Sequence, residues 1–302
     1  MSVAEIESRE LSFDGQGGLW SDAFRRLRSN PGAIIGFVLV ALFILVALFA
    51  PLLAPHDPRA QDLNLVINGC CPGPSAHHLL GVDDLGRDEL SRIIYGARLS
   101  LLIGIVSVSV GLSIGIFLGA VAGFFGGWVD GILMRFVDIM LAIPGFLMAI
   151  GIVALLGPGA FQVMIAIGVV NVPIFTRLLR GSVMAQREND FVLAARAIGV
   201  RRRWILLSHV LPNAISPVIV GGTLALATAI IDAAGLGFLG LGPQDPSTPE
   251  WGNMLTDTVR YLQTAPLLAI YPGVAIVLSV LGFNLIGDGL REALDPKLRG
   301  RA

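Results

Sequence analysis

The chain has 302 residues, of which 54% are hydrophobic and only 14% are charged, and its mean hydropathy is +0.77. A soluble protein of this length cannot bury that much apolar surface, so the composition indicates a membrane protein in direct contact with lipid. The net charge of −1 gives no general reason to expect binding to nucleic acid.

Uncharged apolar runs predict an all-α membrane protein with six transmembrane helices, since a bilayer-spanning helix needs about 20 apolar residues. One run of 38 residues between Asp138 and Arg177 is too long for one span, and Gly157-Pro158-Gly159 divides it into two. In chain order the predicted spans cover about residues 33–55, 99–129, 139–156, 160–176, 212–239 and 266–286.

The distribution of Lys and Arg predicts the orientation. If the N-terminus is cytoplasmic, the cytoplasmic segments hold fifteen of these residues and the outer segments five, while Arg135 lies near the cytoplasmic end of the third span. The positive-inside rule therefore predicts that both termini are cytoplasmic. The predicted segments are a cytoplasmic N-terminal segment 1–32, a first transmembrane helix 33–55, an outer loop 56–97, a five-helix core 98–290 that includes a cytoplasmic loop 178–211, and a cytoplasmic tail 291–302.

A row of glycines in the second span predicts close helix packing. Glycines four residues apart form a stripe along one helix face, where the backbone of a second helix can approach closely. The stripe consists of Gly111, Gly115, Gly119 and Gly123.

Motifs for catalysis are absent from the sequence. There is no G-x-x-x-x-G-K-[ST] nucleotide-binding loop, no G-x-S-x-G elbow and no H-E-x-x-H pair. We therefore expect a chain that is not an enzyme and has no cofactor of its own.

Two adjacent cysteines and two adjacent histidines lie in the outer loop. Cys70, Cys71, His77 and His78 are all metal-ligand types, but adjacent cysteines do not match the usual zinc spacings, so we predict no metal site. A disulfide between neighbours is geometrically unfavourable, which leaves free thiols or intermolecular chemistry open.

Asp232 is the clearest charged residue within a predicted span. A carboxylate in a membrane helix is costly and usually faces a cavity or a partner. A proton relay is one interpretation. A structural counter-ion or a residue near the outer mouth is favoured, because no chain of further acidic residues accompanies it.

Residues 188–213, ENDFVLAARAIGVRRRWILLSHVLPN, form a basic, amphipathic stretch between the fourth and fifth spans. In it, Asp190 is placed to cap a helix that Gly199 ends, and the spacing puts one set of residues on a shared helix face. A second short helix follows, and Pro212 is placed for the first turn of the fifth span. The shared face consists of Phe191, Ala194, Ala195 and Ile198.

This cytoplasmic helix–turn–helix has two interpretations from the residues alone. It passes movement from a soluble partner into the helix bundle, or it lies on anionic lipid and is held there by its arginines. The arginines are Arg196, Arg201, Arg202 and Arg203.

The same stretch resembles the signature E-A-A-x3-G-x9-I-x-L-P of membrane subunits of bacterial ABC importers. Ala194-Ala195, Gly199 and Leu211-Pro212 match the signature, whereas Leu193 replaces the usual Glu and His209 the usual Ile. The replacement of Glu puts in doubt any charged contact at that position, but it leaves the helix, the turn and the spacing intact.

Three further stretches resemble C-type permeases of dipeptide and oligopeptide importers, a subfamily that also includes nickel and glutathione importers. They are HLLGVDDLGRDELSRIIYGARLSLLIG, LGFLGLGPQDPSTPEWGNML and FNLIGDGLREALDPKLRG, and the resemblance extends from about residue 20 to the end. It implies a type I ABC importer permease fold in the bacterial cytoplasmic (inner) membrane, without ATPase activity of its own.

The resemblance also implies partners and residue roles. The partners are a related B-type permease, two ABC ATPase subunits that bind ATP and Mg²⁺, and an extracytoplasmic peptide-binding protein. Glu250 and Trp251 in an outer loop are candidate contacts for the binding protein. The candidate ATPase-coupling residues are Phe191, Ala194, Ala195, Arg196, Ile198, Gly199, Leu211 and Pro212. A nickel or glutathione importer, and a proton-coupled secondary transporter, remain alternative interpretations.

Overall fold

The computed structural model describes residues 19–66 and 70–294. Residues 1–18 of the predicted N-terminal segment and 295–302 of the predicted tail lie outside it. The described helices are α1 (Leu19–Ser29), α2 (Pro31–Leu48), α3 (Ala50–Leu53), α4 (Glu89–Phe125), α5 (Gly127–Leu141), α6 (Gly145–Leu156), α7 (Ala160–Arg187), α8 (Asp190–Ala197), α9 (Arg202–Trp204), α10 (Leu211–Ala214), α11 (Ser216–Phe238), α12 (Trp251–Thr258) and α13 (Leu267–Leu294).

The helices agree with an all-α membrane protein. Among the described residues, α2, α4, α7, α11 and α13 are each long and apolar enough to cross a membrane. A sixth crossing results if α5 and α6, which are bent by 88° at a short break, form one span. The described part of the chain contains no strand, only an isolated bridge between Val82 and Asp88.

The third span differs from the prediction, which began it at residue 139. The helical segment starts at Gly127 and breaks before Pro144, which immediately precedes α6. The predicted span begins at residue 139 because Asp138 bounds the uncharged run there, whereas α5 is helical through Asp130, Arg135 and Asp138.

Two of these residues, Asp130 and Asp138, form ion pairs with arginines of α7. The guanidinium of Arg180 donates to both carboxylate oxygens of Asp130, and Arg177 Nη2 donates to Asp138 Oδ1 at 2.5 Å. Pairing lowers the cost of placing charge in an apolar helix, so charge alone did not mark the boundary of the span.

The closest helix packing joins α4 to α7 along the glycine stripe. A Cβ added to Gly115 would lie 2.5 Å from Phe175 Cβ, and one added to Gly119 would lie 2.6 Å from the carbonyl oxygen of Thr176. Gly111 and Gly123 make equally close approaches to α7. The backbones of the two helices therefore meet at a separation that only glycine allows.

A second glycine crossing joins α2 to α13. A Cβ on Gly36 would lie 2.7 Å from the Gly282 carbonyl oxygen, and one on Gly282 would meet the side chains of Leu39 and Val40. Most of α2 is otherwise exposed, and this crossing, together with packing of Val40 and Phe43 against the cluster that contains Leu101 and Trp251, attaches the first span to the bundle.

The two ends of the bundle differ in chemistry. The loop end is formed by the segment between α3 and α4 and by the segment around α12, and it contains a buried arginine. Arg87 is 1% exposed, and it donates to Asp83 Oδ2 and to the Pro246 carbonyl oxygen, each at 2.5 Å. Cys70 and Cys71 at this end are joined to each other in a disulfide.

The glycine stripe can be tested with alanine. Gly115→Ala forces Phe175 and α7 away, and overpacking of this kind costs about 1–3 kcal/mol. Gly181 in α7 is a matched control, because a Cβ there meets nothing within 4 Å and alanine raises helix stability by about 0.5–1 kcal/mol. We expect Gly115→Ala to lower the thermal unfolding midpoint of the purified chain and Gly181→Ala to leave it unchanged or raised. Equal midpoints would contradict the role of the stripe.

Candidate functional site

The predicted helix–turn–helix is present at the bundle end opposite the loop end. α8 follows α7 after only two residues, and Asn189 precedes it in an extended conformation. Asp190 is the first helical residue rather than the cap, where its negative charge favours the helix N-terminus. Asn189 does not cap through its side chain, which donates instead to Gln186 Oε1 at 2.8 Å.

Gly199 ends α8 in a left-handed conformation, with φ +80°. The amide of Val200 donates to the Ala195 carbonyl at 3.1 Å, and the amide of Gly199 donates to the Arg196 carbonyl at 3.0 Å. These are the two hydrogen bonds of a Schellman motif, which satisfies carbonyls at the helix end. The direction of the chain after α8 is thereby fixed by backbone hydrogen bonds.

The two faces of α8 are more sharply divided than the sequence indicated. Val192 and Ala195 are buried in the core of the chain, whereas Phe191 is 39% and Ile198 is 81% exposed. Ala194 is also exposed. The prediction that Ala195 shares an outward face with the other three is corrected, because its methyl group packs inward beside Val192.

The second arm of the element runs from residue 202 to residue 214. It begins with α9, continues as one wide π-type turn over Ile205–Val210 and ends with α10. Ile205 and Val210 are buried in the same core as Val192, so both arms are anchored in the bundle.

The fifth span begins later than predicted. Pro212 lies in the first turn of the short α10, and Leu211 beside it packs partly against the core. The long helix α11 starts at Ser216, with Pro217 in its first turn. Pro212 and Pro217 each lie in the first turn of a helix, which explains why the sequence did not distinguish the start of α10 from the start of α11.

Basic side chains surround the turn. Arg196, Arg201, Arg202 and Arg203 are all exposed. A groove of about 510 Å³ lies beside the turn, and it is lined by three arginines, one glutamate and four apolar side chains: Arg187, Arg196, Arg202, Glu188, Phe124, Phe125, Val200 and Ile205. The element thus presents apolar side chains on α8 and positive charge next to them.

Glu250 and Trp251 do not lie on the outer surface, where contact with a binding protein was predicted. Both are 1% exposed. The Glu250 carboxylate accepts from the amides of Gly252 and Asn253, each at 2.9 Å, and so caps α12. Burial raises the pKa of Glu250, although these hydrogen bonds and one from Ser100 lower it in part.

Trp251 anchors the same segment to α4. Its Nε1 donates to the Ile93 carbonyl oxygen at 3.1 Å, and its ring fills the space that a Cβ on Gly96 would need. Contact with a partner is therefore excluded for Glu250 and Trp251 by their burial, and their role in the structure is to hold the loop end together.

Asp232 is half-buried in α11, six residues before that helix ends at the loop end. Within the described residues it has no hydrogen-bond or ion-pair partner. This position agrees better with a residue near the mouth of the bundle than with a counter-ion.

Two family models match the chain. Residues 115–300 match the binding-protein-dependent transport system inner membrane component, and residues 18–68 match the N-terminal TM domain of oligopeptide transport permease C. The first match contains α8, the glycine turn and both arms of the element.

Curated relatives are similar over almost their whole length. The chain is 49% identical over 280 residues to the dipeptide transport system permease protein DppC of Alkalihalophilus pseudofirmus, covering 93% of this chain and 90% of that protein. It is 49% identical over 275 residues to the di/tripeptide transport system permease protein DppC of Pseudomonas aeruginosa, with 90% of each covered. The glutathione transport system permease protein GsiD of Escherichia coli is 45% identical over 282 residues, covering 93% of this chain and 91% of that protein.

A solved structure agrees on the fold. The chain superposes on a subunit of the MetNI methionine ABC transporter, solved in inward-facing conformations, with a TM-score of 0.55 and 19% identity, covering 68% of this chain and 96% of that one. This likeness concerns the fold alone, whereas the family match over residues 115–300 and the relatives at 45–49% identity show that the chain belongs to the binding-protein-dependent transport system inner membrane components and is a multi-pass permease subunit of the ABC importer type.

Proposed function

We propose that the chain is one half of the translocation pathway of an ATP-driven importer for di- and oligopeptides, and that the helix–turn–helix couples it to an ATPase. The observation that carries the proposal is the division of α8 into a buried face and an exposed apolar face beside a turn fixed by Gly199. An exposed apolar helix face in water is costly unless a partner covers it.

The proposed orientation places α8 and both termini in the cytoplasm. Two ATPase subunits, which bind ATP and Mg²⁺, dock on this chain and on a related B-type permease. An extracytoplasmic binding protein delivers the peptide to the loop end. This chain contributes neither nucleotide chemistry nor a cofactor.

The mechanism follows from how α8 is attached. Val192 and Ala195 fix its inner face in the core, so a force on Phe191 and Ile198 moves the ends of α7 and α11 with it. Closure of the ATPases on ATP shifts the bundle only if the docked helix binds more tightly in one conformation than in the other. Hydrolysis removes that difference and resets the bundle.

Peptide is the favoured cargo because the two relatives with peptide in their names are more similar in sequence than the glutathione permease. Glutathione is itself a small peptide and is the second candidate. A nickel importer and a proton-coupled carrier lack an observation that favours them, and Asp232 lies alone rather than in a relay.

Docking is tested on the exposed face of α8. Ile198→Asp puts a charge where an apolar side chain is 81% exposed, so folding is retained while the contact is lost. We expect co-purification of the ATPase to fall about tenfold or more, as for loss of an apolar anchor at an interface, with the second permease still bound. Leu193→Glu is the matched control, because it adds a carboxylate on the same helix at the position where the family usually has one. Equal loss in both variants, or in neither, would contradict the assignment.

The role of the glycine turn is tested with two substitutions that differ in how well they tolerate a positive φ. A Cβ on Gly199 meets nothing within 4 Å, so the cost of a substitution comes from its positive φ, about 1–2 kcal/mol for most residues. Gly199→Val is expected to uncouple ATP hydrolysis from transport in the assembled importer, whereas Gly199→Asn, which tolerates this conformation, retains most of the coupling. Similar transport per ATP in the two variants would show that the turn is not required.

Cargo is tested with the assembled importer in proteoliposomes that contain the binding protein. We expect ATP-dependent uptake of a labelled dipeptide, which excess unlabelled dipeptide suppresses more strongly than glutathione. The control is an ATPase subunit without its Walker lysine, which abolishes uptake. Uptake that a proton gradient drives without ATP, and that Asp232→Asn abolishes, would identify a carrier instead.

A further inference from the structure

Three ligand-type side chains converge at the loop end, although they are far apart in sequence. His56 follows α3, His78 lies in the middle of the loop and Asp88 precedes α4. One ligand atom from each residue lies within 4.8 Å of the other two. His78 Nδ1 is 2.9 Å from Asp88 Oδ1, and His56 Nδ1 is 3.6 Å from the same oxygen.

A hydrogen bond to Asp88 explains the position of only one of the two histidine rings. The distance of 2.9 Å fits a bond from His78 to Asp88, but 3.6 Å is too long for a second bond from His56. The two rings nevertheless lie close together, tilted by 31° at a centroid distance of 4.7 Å, with both Nδ1 atoms near one carboxylate oxygen.

We propose that His56, His78 and Asp88 bind one divalent transition-metal ion of the zinc class. For zinc–ligand bonds of about 2.0–2.1 Å, a tetrahedral site separates its ligands by about 3.3 Å. The two nitrogen–oxygen distances, 2.9 and 3.6 Å, lie on either side of that value. Two imidazoles and a carboxylate are a ligand set suited to zinc.

The surroundings orient the ligands as a metal site requires. The second oxygen of Asp88 accepts from the amide of Ser91 at 2.8 Å and from its hydroxyl at 2.7 Å, which leaves Oδ1 for the metal. The Ser91 hydroxyl in turn accepts from the His56 amide at 3.1 Å, and the Ser75 hydroxyl accepts from the His78 amide at 3.0 Å. The two bonds to Asp88 fix the carboxylate of a ligand, as outer hydrogen bonds do in metal sites, and the two amide bonds hold the backbone at His56 and His78 in place.

The fourth coordination position opens into a pocket. The pocket has a volume of about 460 Å³, and its lining includes the three ligands together with Asp57, Gln61 and Asp62. Water or a cargo group therefore has access to the metal. Because the ligands come from the end of the first span, the loop and the start of the second span, the ion ties these three segments together.

The site is tested with Co²⁺ and Zn²⁺ on the full chain, purified with a tag that contains no histidine and stripped with chelator. We expect one Co²⁺ per chain, with the intense visible bands of tetrahedral coordination, and displacement by Zn²⁺. His56→Asn and His78→Asn retain polar side chains beside Asp88 and are expected to weaken binding by about tenfold or more. His77→Asn is the matched control, since His77 is exposed and lines the same pocket but is not one of the three clustered ligands.

A second measurement separates loss of metal from loss of folding. Zn²⁺ that binds only the folded chain raises its unfolding midpoint, so we expect a rise in the wild type and in His77→Asn and none in His56→Asn. Unchanged Co²⁺ spectra in both ligand variants, or a weak octahedral spectrum in the wild type, would overturn the proposal. A sulfur-to-cobalt charge-transfer band would overturn it too, since it would show that Cys70 and Cys71 bind the ion as reduced thiolates rather than being joined in their disulfide.

Discussion

The close approach of α4 and α7 is the constraint on which the rest of the structure depends. Lipid supplies no hydrophobic force to bring two apolar helices together, so packing between their backbones has to do it. The glycine stripe of α4 allows this contact from Gly111 to Gly123, and Gly115 lies directly against Phe175. Phe175, Leu179 and Val183 of α7 thereby become the centre of the core, and the remaining helices pack around that pair.

The helix–turn–helix derives its stiffness from the same core. Val192 and Ala195 of α8, and Ile205 and Val210 of the second arm, belong to the cluster that contains Leu179. A surface helix attached only by its ends would absorb movement of a partner by bending. In the proposed function, a helix with one face in the core passes that movement to α7 and α11, and the partner covers its exposed apolar face.

Features that repeat along the chain were predictable from sequence, and features that depend on contacts between distant residues were not. Long uncharged runs predicted the membrane-spanning helices, and the four-residue spacing of the glycines predicted their close packing. The start of the third span was missed because Asp130 is paired with Arg180, fifty residues away. The side of α8 on which Ala195 lies depends on where the core is, and periodicity alone does not show that.

The loop end is held together by polar side chains and the bundle by apolar ones, and this difference has a physical reason. Loops outside the bilayer have too few apolar residues to form a core, so buried polar groups must satisfy one another there. Arg87 links the two loops through Asp83 and the Pro246 carbonyl oxygen, while the Glu250 carboxylate caps α12. A metal ion bound as proposed by His56, His78 and Asp88 would add a third such link, between the end of α3 and the start of α4.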